Sequence, residues 1–127
     1  MPLVHVALAK GYSKTDLIRL MDEIMQGVRT VLRLPANDTN NCIQEHDPDL
    51  FIMKQPYTMI IRISMFKGRS KETKARLFDA LVTRLQTTMS IDPQSVFILI
   101  NEEPLENWGI RGGVSASEIS MDYKIRD

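Results

Sequence analysis

The chain can be laid over itself. Shifted from Lys10 to Lys67, the segment Lys10-Gly11-Tyr12-Ser13-Lys14 falls on Lys67-Gly68-Arg69-Ser70-Lys71 without a gap. Arg19-Leu20 then meets Arg76-Leu77, and Asp22 meets Asp79. Thr30, Ile43 and Glu45 meet Thr87, Ile100 and Glu102. Ten identities result between Val4 and His46, and the apolar Val4, Val6 and Leu8 lie over Ile61, Ile63 and Met65. A duplicated unit restricts the fold to two similar halves sharing one core, with an extension from about Glu103.

Each copy reads strand, helix, strand. Leu3–Leu8 and Tyr57–Phe66 are rich in β-formers and alternate as half-buried strands do. Ser13 and Ser70 follow a glycine and open helices. Leu17, Leu20, Met21, Ile24 and Val28, then Val31 or Leu32, form the apolar stripe of the first. Leu77, Phe78, Leu81, Val82 and Leu85 form that of the second, and Pro35 and Pro93 end the helical regions. Cys42–Glu45 and Val96–Asn101 are the return strands. Met121, Tyr123 and Ile125 alternate like a short terminal strand. A crossover helix makes the strands it joins parallel and right-handed. The expected fold is therefore α+β: two β-α-β units (2–56 and 57–102) related by a pseudo-twofold axis. They share a four-stranded mixed sheet with two helices on one face, in a single domain 1–127 whose extension is 103–127. The other sheet face, with Leu3, Ala7, Ile60 and Ser64, stays bare in a monomer, which predicts oligomerisation over it.

Composition narrows the function. Sixteen basic residues balance sixteen acidic ones, so nothing marks a nucleic-acid binder. No apolar run reaches membrane-spanning length and no signal peptide opens the chain, which predicts a cytoplasmic location. One cysteine, Cys42, and two histidines, His5 and His46, argue against a disulfide, a metal centre or a metal cofactor.

The topology gathers chemistry at one sheet edge. Parallel strands of one unit start together, so Pro2 and the Ala36-Asn37-Asp38 loop share an edge. Strands of the other unit end there, bringing Lys67, Arg69 and the loop with Trp108 and Arg111. Removal of Met1 from ahead of the small Pro2 leaves a secondary amine. Apolar surroundings or nearby cations lower such an amine from its usual value near 8. It can then act as general base, general acid or nucleophile. A retained Met1 converts the nitrogen to an amide and switches this chemistry off. Arg69 stands at a helix start, where a cation is electrostatically unfavourable.

These residues resemble the tautomerase superfamily (the tautomerase/MIF-like fold), built from β-α-β units with an amino-terminal proline. Pro2-Leu3-Val4 and Gly68-Arg69-Ser70 look like the 4-oxalocrotonate tautomerase group, and the two-unit length like its fused members. Pro35-Ala36-Asn37-Asp38, Arg69-Ser70 and Trp108 resemble the malonate semialdehyde decarboxylase group. Asn107 to Gly112, followed by Asp122-Tyr123, looks more like uncharacterised bacterial relatives. The resemblance implies a homotrimer without cofactor or metal, acting on small 2-oxo or 3-oxo carboxylic acids by keto–enol tautomerisation, decarboxylation or hydration. It assigns Pro2 as the acid/base and Asp38 as a second catalytic, water-activating or proton-handling group. Arg69 is the ligand of the substrate carboxylate, with Lys67 as a secondary cation and Trp108 as a pocket wall; the sheet-edge topology adds Arg111 as a reserve anion ligand. The decarboxylase pattern departs at Lys67, which replaces an arginine, and at Ile110, which replaces an aromatic. Each residue also has a plain structural role open to it. Asp38 suits a turn, Arg69 a solvated helix start, and Trp108 the packing of the extension. The alternative function is a non-catalytic trimeric binding protein that keeps the fold.

Overall fold

The two halves of the computed structural model, which describes residues 2–127, coincide element by element under the sequence offset. The first unit is β1 (Leu3–Ala9), α1 (Lys14–Leu32) and β2 (Asn41–His46); the second is β3 (Met59–Phe66), α2 (Lys71–Met89) and β4 (Val96–Glu103). The processing of Met1 lies outside the described residues. Helix α1 begins at Ser13, whose hydroxyl accepts from the Asp16 N–H, and α2 begins at Ser70, which accepts from the Thr73 N–H. Both helices stop at a non-glycine residue in the left-handed region, Arg33 and Ser90, each with φ 55°. These two residues end the helices. The prolines assigned that role lie beyond them, Pro93 starting a short 3-10 turn over Pro93–Ser95.

The strand order is β2-β1-β3-β4. Strands β1 and β2 are parallel, as are β3 and β4, and the units meet in an antiparallel β1/β3 pair with Val4 opposite Ile63 and Val6 opposite Ile61. Alternation sends Val4, Val6, Leu8, Met59, Ile61, Ile63 and Met65 to one face. There they pack with Leu20, Ile24, Met25, Val28, Leu77, Leu81 and Leu85 of the helices. Each such side chain contributes roughly 1.5–3 kcal/mol on burial. Phe78, expected in the stripe of α2, is 38% exposed instead. The helices approach closely at Gly27, where a Cβ would lie 2.9 Å from Leu81 Cδ2.

The opposite face carries His5 and Arg62 among exposed Leu3, Phe97 and Leu99. After β4 the chain forms a small hairpin of β5 (Gly109–Ile110) and β6 (Val114–Ser115), then a 3-10 turn over Ala116–Glu118 begun by Ser115. Residues 121–127 form no strand. Their alternation of Met121, Tyr123 and Ile125 belongs to an irregular segment that runs back over the end of the sheet. Among the described residues no helix is long and apolar enough to cross a membrane.

The Gly27–Leu81 contact gives a packing test. Leu81→Ala is expected to cost about 2–5 kcal/mol in denaturant unfolding, because Leu81 is fully buried. Gly27→Ala is expected to cost less in the Leu81→Ala background than in the parent, because the truncation removes the atom that the new methyl meets.

Candidate functional site

Pro2 enters β1 at the end of the sheet where β3 and β4 finish. It is buried, and its carbonyl accepts from Asn40 Nδ2 at 3.3 Å. The same amide donates to Asp38 Oδ1 at 3.2 Å, so one asparagine ties the carboxylate to the proline. Asp38 sits in the turn before β2, its N–H bonded to the Pro35 carbonyl at 3.0 Å. Asn40 also accepts from the Val4 N–H at 2.8 Å, a bond that docks this turn against β1. The topological expectation that Pro2 and Asp38 share an edge therefore matches the structure.

A cavity of about 210 Å³ opens beside them, lined by Pro35, Asn37, Asp38, Asn40, Arg111 and Tyr123 together with Met121 and Asp122. Arg111 reaches it from the β5–β6 turn, where Arg111, Gly112 and Gly113 have φ of 49°, 88° and 81°. The two glycines supply those positive angles without a Cβ penalty. Tyr123 forms the wall between this cavity and a narrower crevice lined by Pro2, Leu32, Leu34, Phe66, Arg69 and Ile125. The crevice holds about 10 Å³, space for one water at most.

Arg69 is not the solvated residue that a helix start allows; its side chain is 8% exposed. Its Nη2 donates to the Leu32 carbonyl at the end of α1 (3.0 Å) and to the Lys124 carbonyl (2.7 Å). Its Nη1 faces the Asp127 carboxylate at 3.8 Å. Lys67 lies on the other side of the 121–127 segment, in a groove with Pro104, Leu105, Ile125 and Arg126, and lines neither space beside Pro2. Trp108 packs edge-on against Phe66 with ring centroids 5.1 Å apart, and its indole N–H donates to the Glu103 carbonyl at 3.3 Å. It lines neither space beside Pro2 and supports the crevice from behind through Phe66.

Sequence reasoning missed two residues of the site. Asn40 had one usable signal, its position immediately before a strand parallel to β1. Tyr123 had an alternation with Met121 and Ile125 that suggested a terminal strand, and nothing in it placed the ring beside Pro2. Burial pushes the Tyr123 phenol up to about 12; the Asp38 and Asp122 charges add to the effect and Arg69 opposes it. Tyr123 is therefore a neutral hydroxyl at neutral pH. The unfolded phenol titrates near 10. Its contribution to stability is constant below that value and is lost as pH rises through about 12, since the unfolded chain ionises first. In an ultraviolet titration of phenolate absorbance, one of the three tyrosines is expected to ionise near pH 12, and Tyr123→Phe to remove that step.

Comparison with known proteins follows the same lines. Residues 38–111 match the family described as tautomerase enzyme. The probable tautomerase YusQ of Bacillus subtilis (strain 168) is 22% identical over 121 residues, 89% of this chain and 95% of that protein. The 2-hydroxymuconate tautomerase of Comamonas testosteroni is 36% identical over 58 residues, 46% of this chain and 90% of the shorter enzyme. Among solved structures, FG41 malonate semialdehyde decarboxylase inhibited by 3-bromopropiolate superposes with a TM-score of 0.78. It is 26% identical, over 94% of this chain and 98% of that one. Native fused 4-OT superposes with a TM-score of 0.83 at 18% identity, over 92% and 98% of the two chains, a likeness of fold. The family match spans more than half of the sequence and the fold agrees over nearly all of it: this chain belongs to the tautomerase family.

Proposed function

We propose that the protein is a tautomerase that uses Pro2, freed of Met1, as acid/base on the enol and keto forms of small 2-oxo or 3-oxo carboxylic acids. The observation that carries this reading is the meeting of Pro2, the Asn40-linked Asp38 and two guanidinium groups around one small cavity system. In ketonisation of a 2-oxo acid enol, the Pro2 nitrogen accepts the proton of the 2-hydroxyl group and returns a proton to C3, and the new carbonyl forms as the C2–C3 double bond is lost. Arg69 takes the substrate carboxylate. Arg111 adds positive potential in the cavity, where negative charge develops on the enolate oxygen. In the decarboxylation or hydration of a 3-oxo acid, Asp38 would activate water or stand beside the departing carboxylate. The bare sheet face with Leu3, Phe97 and Leu99 supports assembly as a homotrimer, the state named for a fused 4-OT of the same fold.

A second reading, a non-catalytic trimer, draws on the closed crevice at Pro2. Substrate assays decide between the two. The protein is expected to ketonise the enol of phenylpyruvate, to lose most of that activity as Pro2→Ala, and to lose about 2–4 kcal/mol of transition-state stabilisation as Arg69→Ala. Asp38→Asn is expected to change ketonisation little and to abolish turnover of a 3-oxo acid such as malonate semialdehyde. Intact mass is expected to show loss of Met1, and light scattering to give three times the chain mass. Parent-like rates in all three variants on every 2-oxo and 3-oxo acid favour the non-catalytic trimer.

A further inference from the structure

The segment 121–127 carries a feature that tautomerase chemistry does not require. Its last side chain, Asp127, is received as a bound carboxylate would be. Oδ2 accepts from the Ser70 N–H at 2.6 Å and from the Thr73 hydroxyl at 2.9 Å, and Oδ1 faces Arg69. Thr73 is itself 3% exposed and is held by Arg76, whose Nη2 donates to the Thr73 hydroxyl oxygen at 3.1 Å. Backbone N–H at the start of a 19-residue helix, a buried hydroxyl and a guanidinium make a receptor for an anion, and the chain fills it with its own.

We propose that residues 121–127 are a displaceable strap whose Asp127 occupies the Arg69 anion site until a substrate carboxylate takes its place. The strap presupposes that Arg69 binds that carboxylate, as in the function proposed above. With the strap in place, both contacts of Arg69 Nη2 go to main-chain carbonyls, and the crevice joining Arg69 to Pro2 has no room for an organic acid. A carboxylate can reach Arg69 only if the strap moves. The attachment is suited to exchange. The segment has no regular secondary structure, and Asp122, Lys124, Arg126 and Asp127 are exposed. Tyr123 and Ile125 line the crevice while the remaining hold is polar. Segments with few buried apolar contacts and exposed polar ones open at low cost. Gly68 lets the strap lie close, since a Cβ there would meet Arg126 Cγ at 2.7 Å and the Ile125 carbonyl oxygen at 3.0 Å.

Asp127 remains ionised while strapped. Its hydrogen bonds from Ser70 hold the carboxyl down at about 2, helped by Thr73 and Arg69. The stabilisation of the strapped state is present above the ordinary aspartate value near 4 and is lost only as pH falls through about 2. The trigger is therefore a competing anion and not a proton in the neutral range.

Hydrogen exchange on the full-length protein tests the proposal without needing turnover, with malonate as the probe. Saturating malonate is expected to accelerate exchange of the amides in 121–127. Unchanged or slowed exchange overturns the proposal and makes the segment a fixed wall. Asp127→Asn keeps the shape and removes the charge, so it is expected to bind malonate at least about threefold more tightly, as removal of a competing state requires. Unchanged or weaker binding counts against the strap. The ketonisation assay separates the two readings. If Arg69→Ala leaves KM untouched, the assignment of Arg69 to the substrate fails, whereas eviction of the strap by malonate is decided by the exchange and the Asp127→Asn binding measurements.

Discussion

The guanidinium of Arg69 ties three parts of the chain together. It leaves the start of α2, satisfies a last-turn carbonyl of α1 at Leu32, and gathers the segment after β6 through Lys124 and Asp127. At the C-terminal end of α1 its charge complements the helix dipole, and at the N-terminal end of α2 it opposes it. The Asp127 carboxylate resolves the conflict by adding a negative charge where α2 favours one. The opposite end of the sheet shows what happens without this residue. Tyr12 stands at the position equivalent to Arg69 and is exposed, and Arg19 reaches the Thr88 carbonyl of α2 instead, at 2.7 Å. Two units whose helices share boundaries under the offset thus differ at this position, and only the second has the Arg69 hub.

The parts of this arrangement written in the sequence are those that repeat or alternate. Serine caps after a glycine, the apolar stripe of α1 and the in–out alternation of β1 and β3 all come from local preference reinforced by duplication, and the structure follows them closely. Topology then brings Pro2 and Asp38 to one edge without knowledge of a side chain. What stayed hidden depends on contacts between distant residues. The path of 121–127 is fixed by bonds from Arg69, Ser70 and Thr73, more than fifty positions earlier. The alternation of Met121, Tyr123 and Ile125 suggests a strand only because period two is read without asking whether a free edge is within reach. Phe78 failed as a core residue because the stripe of α2 is narrower than the apolar letters imply, with Leu77, Leu81 and Leu85 filling the interface.

The sheet's outer face is explained by the same economy. Leu3, Phe97 and Leu99 each expose two-fifths or more of their surface beside the charged Arg62 and the polar His5. A water-facing surface does not need three large apolar side chains, and a wholly apolar interface would not carry the charge of Arg62. A mixed face of this kind suits contact with other copies of the chain, where apolar groups are covered and the polar groups find partners at the rim.

The strap answers a problem that a buried carboxylate receptor creates for itself. A guanidinium shielded from water and left without a counter-charge carries a desolvation cost, and removal of one partner from a shielded ion pair is more damaging than never having built the pair. Under the proposed function, Arg69 therefore needs compensation when no acid is bound. Leu32 and Lys124 offer carbonyl oxygens, which satisfy hydrogen bonds and leave the charge in place. Asp127 supplies the missing charge, and it does so from a segment whose polar contacts, the Lys124 carbonyl included, are given up together when it moves. Under the proposed function, an incoming carboxylate then meets Arg69 in place of the Asp127 charge. The entropy of releasing seven residues without regular secondary structure partly offsets the entropy lost by the acid that displaces them.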